Sequence, residues 1–159
     1  MLSARPCVPA DIDAVVAIVR GLPEYFTADV PDKVRSEAAA PGTWVLSEPD
    51  DDGMAGFAIT KRMNGAAAEI RWMAVAPGRR RQGLGTALLG DVLSRLSADG
   101  VRVVEVKTLD SSAGYPPYEA TRAFWERNGF VHIDTIDPLP EWEPGSPAAI
   151  YVAALLPTR

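Results

Sequence analysis

The stretch "VAPGRRRQGLGTALL", Val75–Leu89, sets three consecutive arginines and the pair Gly83 and Gly85 between a strand-like run and a helix-like run. A loop that leaves a strand and opens a helix presents several unpartnered backbone N–H groups at the positive end of the helix dipole. Such a loop is suited to anions, and glycine lets a bulky phosphate come close to the backbone. Arg79, Arg80 and Arg81 add cationic forks that match phosphate geometry. The chemistry on offer is therefore phosphate binding. The same residues also suit a solvated turn, and a G-x-G pair alone leaves both readings open.

Two common phosphate loops can be tested against the spacing. Gly78 and Gly83 have the first spacing of a G-x-x-x-x-G-K-[ST] loop, but Leu84 and Gly85 follow in place of Lys and Ser or Thr. Gly83 and Gly85 begin a G-x-G-x-x-G fingerprint, but Leu88 stands at the third glycine. Glu105 lies at the spacing of a ribose-binding acid. However, no further βαβ half follows to complete a dinucleotide fold.

Other reactive side chains are sparse. His132 is the sole histidine and falls within the strand-like "FVHID". Cys7 is the sole cysteine, so no intramolecular disulfide forms, and it is expected to be a small buried residue rather than a nucleophile. Asp50, Asp51 and Asp52 lack the spaced ligands and closing Glu of a calcium loop and read as a solvated turn. No His, Cys and carboxylate grouping suggests a metal.

These residues need a scaffold, and the periodicities supply one. Residues 2–5 form a short first strand, and Ile12, Val15, Val16 and Val19 line one helix face ending near Gly21. A weaker helix is expected over residues 32–40. "TWVLSE" and "MAGFAITKR" read as strands around the turn "PDDDG", and Asn64-Gly65 marks a second hairpin leading into a long strand over 66–76. Leu84, Leu88, Val92 and Leu96, widened by Ala87, Leu89 and Leu93, make a sheet-covering helix over 83–98. "VRVVEVKTL" follows as a strand over 101–109, so strand, helix and strand form a βαβ unit with parallel strands. "SSAGYPPYEA" reads as a loop, "TRAFWERN" as a helix, and "FVHIDTI" and "AAIYVAALL" as closing strands. The expected fold is α/β, a mixed sheet with helices on its faces.

The chain of 159 residues fits one domain, residues 1–159, with a single substantial core. A net charge of −5 argues against general nucleic-acid binding, which needs a basic face. No stretch approaches the roughly 20 apolar residues that span a bilayer, so a cytoplasmic protein without membrane attachment is expected.

"RRQGLG", residues 80–85, matches [QR]-x-x-G-x-[GA], and the whole stretch resembles motif A of the GCN5-related N-acetyltransferase (GNAT) family. The opening "MLSARPCVPADIDAVVAIV" is similar to that family's first strand and helix. "YEATRAFWERNGF" followed by "LPEWEPGSP" resembles the later motifs of a bacterial subgroup. The resemblance covers nearly the whole chain in the family's order. It implies a mostly antiparallel GNAT-like sheet around the βαβ unit, acetyl-CoA as cofactor, and transfer of its acetyl group to a small-molecule or peptide amine.

By the same resemblance, Arg80, Arg81, Gln82, Gly83, Leu84, Gly85 and Thr86 hold the pyrophosphate, with Arg79 a solvated neighbour. The main chain of Met73, Ala74 and Val75 pairs with the pantetheine arm, as an exposed strand edge can. Thr121, Phe124 and Trp125 flank that arm. Glu69 is the base, and a backbone N–H near Ala74 or Val75 is the donor to the developing oxyanion. Glu24, Tyr25 and Phe26 line the acceptor pocket, or equally form a hydrophobic plug between two helices, a role that suits Phe26 best.

The sequence departs from the family at Trp125, where a tyrosine usually protonates the departing thiolate. An indole N–H is no useful acid at neutral pH. Tyr118 is the substitute, with an equal claim to be a structural anchor. The departure also motivates a second reading, a CoA-binding sensor or partner module with little transfer. A nucleotide-binding domain unrelated to acyl transfer is the third. Family members are often dimers, and the sequence does not decide this.

Overall fold

The computed structural model describes residues 2–47 and 53–157. The turn expected over "PDDDG", with its three aspartates, therefore lies almost wholly outside the described residues. Seven strands make one sheet in the order β1-β2-β3-β4-β5-β7-β6. They are β1 (Ala4–Pro6), β2 (Thr43–Ser47), β3 (Met54–Arg62), β4 (Ala67–Val75), β5 (Val103–Leu109), β6 (Val131–Ile136) and β7 (Ala148–Ala154). Every neighbouring pair is antiparallel except β4 and β5.

Four helices cover the sheet: α1 (Ile12–Arg20), α2 (Val30–Ala38), α3 (Leu84–Ala98) and α4 (Pro117–Arg127). The apolar stripe of α1 is buried through Val15, Val16, Ile18 and Val19, and packs with Val34 of α2 against Val45 and Phe57. On the opposite face, Leu84, Leu88, Leu89, Val92 and Leu96 of α3 bury against Ala68, Ile70, Val104 and Val106. Trp125 and Phe130 extend this second layer beneath α4. Each such fully buried side chain contributes about 1.5–3 kcal/mol over its exposed state, which is why these stripes set the layers.

Two helix starts differ from the sequence reading, and proline explains both. Helix α2 begins at Val30, with Pro31 in its first turn, where no intrahelical N–H bond is required. Helix α4 begins at Pro117 for the same reason, so Tyr118, expected in a loop, stands on the helix. Asn64 organises the second hairpin as its Oδ1 accepts the N–H groups of Ala66 and Ala67 at 2.9 and 3.0 Å. Cys7 is half-buried rather than buried, and that burial pushes its thiol up from the ordinary range.

Candidate active site

The sheet splits where the parallel pair β4 and β5 ends. Strands β4 and β5 stay in register from Ala67 with Val103 to Ile70 with Val106. Beyond Ile70, β4 remains with β3 as far as Val75 opposite Gly56, while β5 remains with β7 as far as Leu109 opposite Ala148. The register slip between β3 and β4 leaves Arg71 unpaired between Ile70 and Trp72, and such bulges increase local twist. One edge of β4, Arg71 to Val75, is thus left without a neighbouring strand. Met73, Ala74 and Val75 lie on it.

At the end of β4 the chain turns through Pro77–Arg79 and enters α3 at Gly83, whose φ of 75° lies in the left-handed region. The Gly83 carbonyl accepts the N–H of Ala87 at 3.1 Å. Among the described residues no backbone carbonyl meets the N–H groups of Arg80, Arg81, Gln82, Gly83, Leu84, Gly85 or Thr86. Gly85 is the contact point with α4: a Cβ there would stand 3.2 Å from Phe124 Cε2 and 3.7 Å from Val75 Cγ2. The structure therefore brings together the loop, the free edge of β4 and Phe124. Thr121 lies half-buried on α4, one turn before Phe124.

Trp125 lies elsewhere than expected. It is buried in the core, edge-on to Phe124 and Phe130 with ring centroids 5.0 and 5.1 Å away. A large aromatic in a small domain is worth most in such packing, so the core claims the ring. The Tyr118 hydroxyl is also engaged. It donates to the Tyr25 carbonyl at 2.5 Å, and burial pushes it up to about 12. Its geometry is that of a brace between α4 and the segment joining α1 to α2.

Glu69 sits at the closed end of the split, on the face covered by α1 and α2. Its side chain is 10% exposed and lies 3.4 Å from Lys107 Nζ and 3.7 Å from Arg71 Nη1. The parallel register sets Glu105 directly beside it, and Lys107 Nζ is 3.5 Å from Glu105 Oε1. Arg71 reaches further: its Nε donates to Glu37 Oε1 at 2.7 Å, and Nη2 lies 3.9 Å from Glu141 Oε2. Glu37 also accepts the indole N–H of Trp72. Sequence reasoning did not find Arg71, Glu37, Glu105 or Lys107 in this role. Two charges inside the apolar-type strand "VVEVKTL" were the available signal.

Of the residues assigned to the acceptor side, Phe26 packs edge-on to Trp72 at 6.2 Å, and Glu24 is exposed. The ring of Tyr25 lies under Arg80, whose Cζ is 4.7 Å from the ring centroid. The aromatic face that would hold a cationic amine is therefore taken by a cation of the protein itself. His132 is exposed on β6, stacked on Tyr151 at 5.2 Å, and bonds locally to the Asp134 carbonyl and Thr135 Oγ1. Asp110, just past β5, accepts Ser112 Oγ and N–H at 2.6 and 3.0 Å, and these bonds hold its carboxyl below the usual range. Among the described residues no metal-type cluster occurs, and no helix is long and apolar enough to cross a membrane.

A sheet split beside an unpaired N–H loop, with an aromatic wall at their junction, defines an acyl-CoA-dependent transferase. The chain belongs to the GNAT acetyltransferases: the family model described as acetyltransferase (GNAT) domain matches residues 40–132. The fold is shared with a GNAT-family protein from Desulfovibrio desulfuricans at 27% identity and TM-score 0.81, covering 97% of this chain and 99% of that one. It is shared with the ribosomal-protein-S18-alanine N-acetyltransferase from Escherichia coli at 23% identity and TM-score 0.75, over 97% and 94% of the two chains. A GNAT-family acetyltransferase from Elizabethkingia anophelis, solved with acetyl-CoA bound, superposes with TM-score 0.68 at 18% identity over 97% and 98%. No curated protein matches the sequence.

The residues present fit acetyl-CoA. The loop from Arg80 to Thr86 has seven successive N–H groups without a backbone acceptor, and Arg80 and Arg81 meet no carboxylate among the described residues. An anion supplies both needs at once. The amide-rich arm of the cofactor suits the unpaired edge of β4. On the part of β5 that lies beyond its pairing with β4, Thr108 Oγ1 is buried without a hydrogen-bond partner among the described residues.

Proposed function

We propose that this acetyltransferase passes the acetyl group of acetyl-CoA to a primary amine, of a small molecule or of a peptide or protein, by direct attack. The observation that carries the reading is the split of β4 from β5, which starts at Arg71, two residues past Glu69, and runs toward the loop whose N–H groups meet no backbone carbonyl among the described residues. The loop at one end of the split would hold the phosphates of a donor, and Glu69 stands at the other end. Residues 1–159 act as a single domain in this proposal.

When bound, acetyl-CoA supplies an acyl group already activated as a thioester. The protein then has three tasks: to orient the amine, take its proton and stabilise charge on the carbonyl oxygen. Residues 80–86 hold the pyrophosphate, the main chain of Met73–Val75 pairs with the arm, and Phe124 and Thr121 flank it. Glu69 takes the proton, directly or through water, held in place by Lys107 and Arg71. A backbone N–H near Ala74 or Val75 would donate to the oxygen. With Trp125 in the core and the Tyr118 hydroxyl on the Tyr25 carbonyl, neither side chain would supply the proton for the departing thiolate, and solvent would serve instead. A thiol of ordinary pKa about 8.5 tolerates that.

The same two engaged rings favour the second reading, a CoA-binding partner module without efficient transfer. One experiment separates them: free-thiol release from acetyl-CoA across a broad panel of amines, beside CoA binding by calorimetry. Saturable, amine-dependent release supports the transferase. Saturable CoA binding without release from any amine supports the module. Binding of ATP or NAD but of neither CoA species rejects both.

A further inference from the structure

We propose that Tyr25 is a positioning residue for the cofactor, holding Arg80 toward the phosphates of CoA, and not a wall of the acceptor pocket. The proposal rests on reading residues 80–86 as the phosphate loop. It assigns to the segment between α1 and α2 a part in donor binding.

The ring of Tyr25 is fixed from several sides. Its own N–H and that of Phe26 both go to the Leu22 carbonyl, at 3.0 and 3.1 Å. Its carbonyl accepts the Tyr118 hydroxyl at 2.5 Å, and the adjacent Glu24 carbonyl accepts the Tyr115 hydroxyl at 2.7 Å. The Tyr118 ring stands edge-on at 5.5 Å. Two tyrosines from the start of α4 and the loop before it thus clamp the backbone that carries Tyr25. One face of the ring is left for Arg80 at 4.7 Å.

Arg80 gains from this support more than most arginines would. It is exposed, follows the short Pro77–Arg79 turn in an extended conformation, and precedes Arg81 at φ 62°. It has no ion pair among the described residues, so the ring is the contact that restricts its long side chain. A free arginine loses considerable rotamer entropy when a ligand fixes it. A guanidinium resting over a ring has already lost part of that freedom. Contact with the ring uses the guanidinium face, whereas phosphate is bound by the N–H edge, so the two interactions are compatible.

The test is calorimetric and needs no acceptor. CoA and pantetheine, which lacks the nucleotide and its phosphates, are titrated into the wild-type protein and into the Tyr25→Phe, Tyr25→Leu, Arg80→Ala and Tyr25→Leu/Arg80→Ala variants. An exposed cation–π contact of about 0.5–1 kcal/mol converts to a ~2–5-fold change in Kd. Tyr25→Leu is expected to weaken CoA by that factor and leave pantetheine unchanged. Tyr25→Phe keeps the ring and restores wild-type CoA affinity, which also controls for folding. In the Arg80→Ala background the Leu substitution has no further effect. Equal weakening of CoA and pantetheine by Tyr25→Leu, or additive losses in the double variant, overturns the proposal. Wild-type protein that binds the two compounds equally overturns the phosphate-loop reading along with it. A preference for CoA that Tyr25→Leu does not alter overturns this assignment alone.

Discussion

Lys107 Nζ lies 3.4 Å from Glu69 Oε1, where the parallel pair β4 and β5 is about to part. Parallel register places Glu105 beside Glu69, and the same ammonium stands 3.5 Å from Glu105. Two carboxylates on adjacent strands repel, and the lysine between them offsets that repulsion. Glu69 is thereby held at the closed end of the split by Lys107 and Arg71.

Replacement of Glu69 by Gln tests the proposed proton transfer. A base contributes about 10²–10⁴-fold, so Glu69→Gln is expected to lower kcat within that range and to leave KM for acetyl-CoA nearly unchanged. Steady-state thiol release with the best amine of the panel is the measurement. Wild-type turnover and pH dependence in the variant would remove Glu69 from the mechanism.

Lys107→Met keeps the aliphatic stem and deletes the charge, leaving Glu69 and Glu105 side by side. The pair is mostly but not fully buried, so the loss lies between surface and buried limits, about 1–3 kcal/mol. Urea denaturation measures it. Lys107→Arg should recover most of the difference, and a Met variant as stable as wild type would show that the ammonium does not offset the carboxylates.

The glycines of the loop separate backbone strain from contact. Gly78 has no positive φ, and a Cβ there would meet no atom within 4 Å, so Gly78→Ala should be silent. Gly83 has open space but a φ of 75°, so Gly83→Ala should cost about 1–2 kcal/mol through strain alone. Gly85→Ala presses on Phe124 at 3.2 Å and is expected to weaken CoA without a comparable loss of stability. Thermal melts and CoA titrations on the three variants give the comparison.

Tyr118 carries a pH prediction. Its hydroxyl is raised from the ordinary 10 to about 12, chiefly by burial. The neutral hydroxyl therefore contributes stability that is fully present below about pH 10 and is lost as pH rises through 12. Tyr151, also raised to about 12, adds a similar loss. Tyr118→Phe should lose about 1 kcal/mol at neutral pH with its bond to Tyr25, and fall less steeply between pH 10 and 12. Its activity profile from pH 6 to 9 should keep the wild-type shape. A tenfold fall in kcat in this variant would return Tyr118 to the chemistry as an acid.

Much of the fold was legible because its signals are local. The Val15–Val19 and Leu84–Leu96 stripes, the Asn64-Gly65 hairpin and the βαβ order each depend on residues a few positions apart. The start of α4 was less legible, since two prolines that suit a loop equally suit a helix's first turn. In the site, Gly83 and Gly85 marked the turn from β4 into α3, where the N–H groups of residues 80–86 meet no backbone carbonyl among the described residues. Arg71 and Lys107 did not announce themselves, because a charged residue in a strand gives no sign of which strand will lie beside it.

The order of elements, the phosphate-type loop and its later partner "TRAFWERNGF" follow from the residues alone, since periodicity and motif spacing belong to neighbours in the chain. What each side chain meets was settled only by folding. Strand register put Glu69, Glu105 and Lys107 together, and the end of that register opened the split. Core packing drew Trp125 inward, because burying an indole there outweighs exposing it. The path of the α1–α2 segment set Tyr25 under Arg80, a contact between residues 55 positions apart that no local pattern contains.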